Sequence, residues 1–495
     1  MRPQKQKLED GMRGLIVYAL AAALIAVFCT AERGDSAISW IRTFGGDSLD
    51  EGYCVRQTSD GGYIVVGTSA RTESHDKGDV WLLRLDAFGN ELWSQTYGDS
   101  GRDWGYWVEQ TEDGGYIIAG MNETFGGTSA DLWVIKADTL GEITWEKKHG
   151  GDSWEQGFCI QKTTDGGFIT ISRTYSYGAG EADIWLLKTD AGGDSMWART
   201  YGDTAFEESR CVQQTRDGGY IMFGMTRSYS VWGDLDQWLV KTDSNGNVSW
   251  TETIGLDGYD AGYAVQETED GSYILGGELE IVWGGTATLE KRDSLGGFIW
   301  SKEYGVLEFR AIYSVWVTDD GGVVATGIRG SSKNVFLLKV DTDGETQLVR
   351  VFDGMWGNSV QQTEDGGYVI TGLISRGPVD KDLLVIKTDA LGRVGVEEEN
   401  EATILGHDAK PHLLIYPNPC SGTARIQYQL PTSAYVNMSV YDVSGRLVTT
   451  LMDEHMASGI YSEIWNAGNL PSGSYVCRVA VEGSVETEKV IVLSR

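Results

Sequence analysis

Between residues 106 and 150 the chain alternates apolar runs with polar turns. YWVEQT (106–111), GYIIAG (115–120), DLWVIKAD (131–138) and ITWEKKHG (143–150) each have the length and β-branched or aromatic content of a short strand. The first pair is joined by Thr-x-Asp-Gly and the second by Asp-x-x-Gly, so the pattern predicts two hairpins in a row, strands a to d. Gly supplies the positive φ of a tight turn, and Thr or Asp side chains bond nearby amides.

The unit recurs. Its first turn carries Asp60, Asp113, Asp165, Asp217, Asp270, Asp320 and Asp365, spaced 45 to 53 residues apart. The second carries Asp86/Gly89, Asp138/Gly141, Asp190/Gly193, Asp243/Gly246, Asp293/Gly296, Asp341/Gly344 and Asp389/Gly392. Two residues before each of those Asp stands a base: Arg84, Lys136, Lys188, Lys241, Lys291, Lys339 or Lys387. Four-stranded units at this period predict an all-β, seven-bladed β-propeller over 32–396, since a solenoid would not need two hairpins per repeat. Strand d carries Trp40, Trp93, Trp145, Trp197, Trp250 and Trp300, then Leu348, read here as packing between blades. Residues 39–46 form a strand d with no strand c before it, and the seventh strand c (382–389) is followed by Val396 where Trp should stand. The N-terminal strand is therefore expected to pair with 382–389 and close the ring, removing exposed edges.

After an acidic linker, 397–410, the grammar changes. Alternating runs with Pro, Gly and Asn turns predict a small Ig-like β-sandwich over 411–495.

Composition fits this picture: 66 Gly, 18 Trp and only 7 Pro suit short strands and tight turns. The formal net charge of −32 argues against nucleic acid as a partner. Residues 1–31, with Arg2, Lys5, Lys7 and Arg13 ahead of an apolar run from Gly14 to Phe28, have the layout of a secretory signal peptide, and no transmembrane span is expected in the mature chain. Cys54, Cys159 and Cys211 hold one place in three repeats and read as buried thiols. Five scattered His give no metal site, and no cofactor is expected.

Two stretches resemble known families. LDAFGNELW (85–93) resembles the tryptophan-docking repeat of quinoprotein dehydrogenases, with a turn one residue shorter, which supports the propeller. Residues 411–495 are similar to the C-terminal sorting domain of type IX secretion substrates, through Tyr416, Pro417, Asn418, Pro419, Val440-Tyr441-Asp442, Gly445, Arg446, Trp465, Leu470, Ser472, Gly473, Tyr475, Arg478 and Lys489. That resemblance implies recognition by secretion machinery and placement outside a Gram-negative cell, secreted or on its outer surface. Cys420 and Cys477 stand where the family usually has aromatics; a disulfide between them and two buried thiols are both open.

The sequence is less informative on chemistry. Acids recur at the start of strand a (Asp50, Asp103, Glu155, Glu207 and Asp260), until Arg310 and Met355 break the series. They are either a candidate ligand rim gathering cations or basic ligands, or caps of their loops. The b–c connections 68–79, 172–183, 225–237 and 278–288 vary freely and are rich in Tyr, Trp, Arg, Ser and Gly. Two functions stay open: a non-catalytic module binding a glycan, protein or small ligand, and a secreted enzyme, either a glycan-active hydrolase or lyase or a quinoprotein-like oxidoreductase.

Overall fold

The computed structural model describes residues 39–394 and 413–492, apart from 47, 71–77, 124–126, 128, 231–232, 256, 281–284, 305–308, 331–333, 378–380, 417–419, 421, 431–433, 444, 457–458, 469 and 482–483. The proposed signal peptide, the acidic linker and Pro417, Asn418 and Pro419 lie outside the described residues. Two compact units divide near Val396, one on each side.

In the first unit, seven four-stranded antiparallel sheets follow one another. Their innermost strands, strand a, are Asp50–Gln57, Asp103–Gln110, Glu155–Lys162, Glu207–Gln214, Ala261–Glu267, Phe309–Val317 and Trp356–Gln362. Six sheets are built from consecutive strands. The seventh takes Trp40–Phe44 as its outer strand, paired with Lys381–Thr388 from Trp40↔Lys387 to Phe44↔Leu383. The register matches the others, where Trp93 faces Arg84 and Trp145 faces Lys136. The ring is closed by the first strand of the described residues.

Each repeated residue has a mechanical reason. The base of strand c is buried and reaches the first-turn aspartate of its own blade, as in Lys136–Asp113 at 2.9 Å and Lys387–Asp365 at 2.8 Å. The cation is the sheltered partner: Lys188 is 3% exposed and Asp165 52%. The Thr111 hydroxyl and Lys136 hold the Asp113 carboxyl down to about 2. The Gln or Glu preceding that turn's Thr then ties blades together. Gln110 accepts the Ser59 amide at 2.9 Å, Gln214 that of Thr164 at 2.8 Å, and Gln57 that of Glu364 at 2.8 Å across the closure.

The second turn is a dock. Gly193, at φ +79°, lies so close to the Trp145 ring of the preceding blade that a Cβ would stand 2.5 Å from it. The same contact joins Gly89 to Trp40 and Gly246 to Trp197. Each indole also meets an aromatic of the next blade, Trp40 on Tyr63 at 5.6 Å and Trp197 on Tyr220 at 5.8 Å. The strand-d tryptophans therefore pack between blades, and burying one such indole stabilises by roughly 5 kcal/mol.

The second unit is a two-sheet sandwich. Three strands (Leu413–Tyr416, Thr423–Leu430, Gly459–Asn466) pack on four (Ala434–Asp442, Leu447–Met456, Gly473–Val481, Ser484–Val492) around Ile426, Val436, Met438, Trp465 and Val490. Tyr475 is buried against Trp465 and donates to Pro471 O at 3.0 Å; Gly445 holds φ +81° in a turn where Arg446 meets Asp442 at 3.0 Å. Gly473 opens a strand, and Lys489 is exposed on the last one. The possible Cys420–Cys477 disulfide is not formed, and both are buried thiols. Cys420 sits beside Val492 and Cys477 beside Glu488, four residues apart along one strand. That is about 13 Å, too far to bond.

Candidate functional site

Strand a of every blade carries a β-bulge at one place, between Gly52/Cys54, Gly105/Trp107, Gly157/Cys159, Ser209/Cys211, Gly262/Ala264, Ile312/Ser314 and Gly357/Ser359. The extra residue drops out of the ladder and is re-aimed. The seven bulge residues are Tyr53, Tyr106, Phe158, Arg210, Tyr263, Tyr313 and Asn358, and all line one cavity of about 570 Å³ in the channel. That volume falls within the range of small-molecule sites.

The aromatics form two arms. Tyr53, Tyr106 and Phe158 follow one another at 4.9 and 5.5 Å between ring centres, and Tyr263 meets Tyr313 at 4.9 Å. Arg210 stands between the arms, 5.5 Å from both Phe158 and Tyr263. Below, Arg56 lies 4.5 Å over Trp107 and 5.8 Å from Trp316, and donates to Val55 O at 2.7 Å.

One carboxylate organises the polar side. Glu208, 2% exposed, accepts from Arg210 Nε at 2.7 Å through one oxygen and from Arg173 through the other. Arg173 also donates to Gln156 Oε1 at 2.7 Å, and Gln156 bonds the Tyr106 hydroxyl. Burial works to lower the Arg210 pKa, but Glu208 outweighs it and the guanidinium stays charged. Tyr53 donates to Glu51; burial, then the Glu51 charge, drives its pKa well up, so the phenol stays neutral. Burial likewise pushes Tyr313 up to about 12.

The acidic series has a different place. Asp50, Asp103, Glu155, Glu207 and Asp260 are almost wholly buried. Four accept amides of the preceding loop, Gly46 to Asp50 at 2.9 Å, Asp99 to Asp103 at 2.8 Å, Gly151 to Glu155 at 2.9 Å and Asp203 to Glu207 at 3.0 Å, and Asp260 accepts from Glu280, at the end of strand b, at 2.7 Å. None of the five lines the channel cavity. The second-turn acids also accept amides, Asp243 from Asn245 at 2.8 Å. Of the variable loops, the 172–183 segment contributes Arg173. The cavity ring was missed in the sequence, although it carries a signal: in five of the seven repeats it is the residue after a strand-a Gly, and five of the seven are Tyr or Phe.

Fold and site together define a β-propeller with an aromatic and arginine-lined channel. Residues 414–493 match the family described as Secretion system C-terminal sorting domain, so the chain is a secreted propeller protein carrying such a domain at its end. A search of curated proteins found no match. Among solved structures, it is similar to PorZ of Porphyromonas gingivalis, a bacterial surface component of the type-IX secretion system, at 12% identity over 88% of this chain and 69% of that one, with TM-score 0.34. It is also similar to the polysaccharide lyase Uly1, at 10% identity over 70% and 91% with TM-score 0.47. A third is the propeller domain of the Trilobed protease from Pyrococcus furiosus, at 12% over 75% and 98% with TM-score 0.38. At these identities the likeness is one of fold. Among the described residues no helix is long and apolar enough to cross a membrane.

Proposed function

We propose that this protein is a non-catalytic binding module, exported by way of an N-terminal signal peptide and an Ig-like C-terminal sorting domain that engages secretion machinery, and acting outside a Gram-negative cell. Its ligand, a glycan, protein or small molecule, enters the channel where the strand-a bulges converge. The observation that carries this reading is the ring itself. Seven blades spend a bulge at one level, and the residues freed there are contact-forming types, while the turns that build the fold are uniform. Binding is favoured over hydrolysis because Glu208 has both oxygens engaged by guanidinium groups, the position of a counter-ion rather than a proton donor. A glycan and protein array probed with the full-length chain tests it. Binding should be lost in Tyr106→Ala and Tyr263→Ala at a temperature where each variant is still folded by circular dichroism. A ligand captured equally by both variants would place binding elsewhere and overturn the channel reading.

A further inference from the structure

Resting on that channel reading, we infer that the ligand is a ring compound bearing a single carboxylate, taken by Arg210 and flanked by the tyrosines.

Five of the seven bulge positions hold an aromatic side chain, and one holds a cation. Arg210 is 48% exposed although it lies within the channel. Its Nε is committed to Glu208, and among the described residues no acceptor takes its two Nη groups. Phe158 and Tyr263, on the two neighbouring blades, flank the guanidinium at 5.5 Å each. A planar fork so held matches a carboxylate through two parallel hydrogen bonds, and little entropy is left to lose on binding.

The other charges are occupied. Arg56 is stacked on Trp107 and bonded to Val55 O and to Ser359 Oγ at 3.2 Å. Glu51 holds the Tyr53 hydroxyl. Arg173 and Arg210 share Glu208, which leaves that cluster with one surplus positive charge. A monoanion balances it. A dianion such as a phosphate monoester would overcharge the cluster inside a protein of net charge −32. Tyr53, Tyr106 and Phe158 on one side and Tyr263 and Tyr313 on the other line the cavity with mutually tilted or edge-on rings, aromatic surface against which a ligand ring packs beside the guanidinium, so the carboxylate belongs to a ring.

Two sources share this chemistry, an acidic sugar and an aromatic acid. Calorimetric titration of the full-length protein with monomeric galacturonate, its neutral counterpart galactose and benzoate separates them. One acid, galacturonate or benzoate, should bind at least tenfold more tightly than the neutral sugar and weaken as salt rises. Arg210→Gln should weaken that acid about 10- to 100-fold in protein still folded by circular dichroism, with Arg210→Lys between. Whichever acid shows this dependence identifies the source. Neutral sugar binding as tightly as galacturonate, indifferent to Arg210→Gln but abolished by Tyr263→Ala, would overturn the carboxylate inference and leave the channel reading standing. Neither acid binding at roughly millimolar concentration would overturn it as well, and the array described above then decides the channel reading separately.

Discussion

Ring closure depends on one short strand, and Trp40→Ala tests it. Trp40 is 5% exposed, packs its ring on Gly89, meets Tyr63 edge-on and donates from Nε1 to Ala87 O at 3.0 Å. The strand it anchors has five paired residues. Removing an indole of about 200 Å² at about 25 cal/mol/Å² costs about 5 kcal/mol, within the range for large-to-small core changes. Unfolding entropy of about 2.1 cal/mol/K per residue over about 350 residues converts this to roughly 7 °C in Tm. Trp197→Ala loses an equivalent dock, on Gly246 and Tyr220, but its strand is tethered within its own blade. Both variants should melt early. Only Trp40→Ala should also release the amides of Lys381–Thr388 to rapid hydrogen exchange, because only there is the outer strand free to leave. A permuted chain, 47–394 followed directly by 39–46, should fold and keep those amides protected. Equal protection of 381–388 in Trp40→Ala and wild type, with a Tm loss under about 2 °C, would refute closure by this tryptophan.

Gly193→Ala should cost about 3 kcal/mol in urea denaturation, since the methyl meets Trp145, whereas Gly166→Ala, at φ +85° with open space, should cost only the strained backbone, about 1–2 kcal/mol. Asp183 is buried and then crowded by Glu207, which outweigh the Ala179 amide and raise its carboxyl to about 6. A raised acid is stabilising below its unfolded pKa and loses that contribution as pH rises from about 4 through about 6, so Asp183→Asn should stabilise the propeller by about 1 kcal/mol at pH 7 and not at pH 3.5. Asp113 runs the other way: its contribution is present above about 4 and lost as pH falls towards about 2, so Asp113→Asn should flatten the acid limb of the urea midpoint. Truncation at Glu401 should leave a folded propeller in the periplasm, and replacing Gly445 and Arg446 should lower export without shifting the propeller's melting; normal surface levels of either would remove the address role from the tail.

The blades and the closing strand were legible in the sequence because the chemistry that makes them is local. A Thr-x-Asp-Gly turn bonds within itself, an Asp-x-x-Gly turn needs its positive φ wherever it sits, and seven repeats multiply a weak signal. The same locality revealed the seven bases, but not that they reach the first-turn aspartates at the end of the neighbouring strand b. The acidic series was visible as a pattern and undecided in meaning. In the folded protein Asp103 and Glu155 face loop amides that only the folded d–a connection brings to them. Tertiary structure alone decided the candidate site. A bulge exists only against a partner strand, and the residue it ejects meets six others only once the ring is closed. Tyr53 and Tyr313 are 260 positions apart in the chain and line one channel. Arg173 and Arg210 converge on Glu208 because adjacent blades present them to one carboxylate, and no spacing in the sequence encodes that meeting.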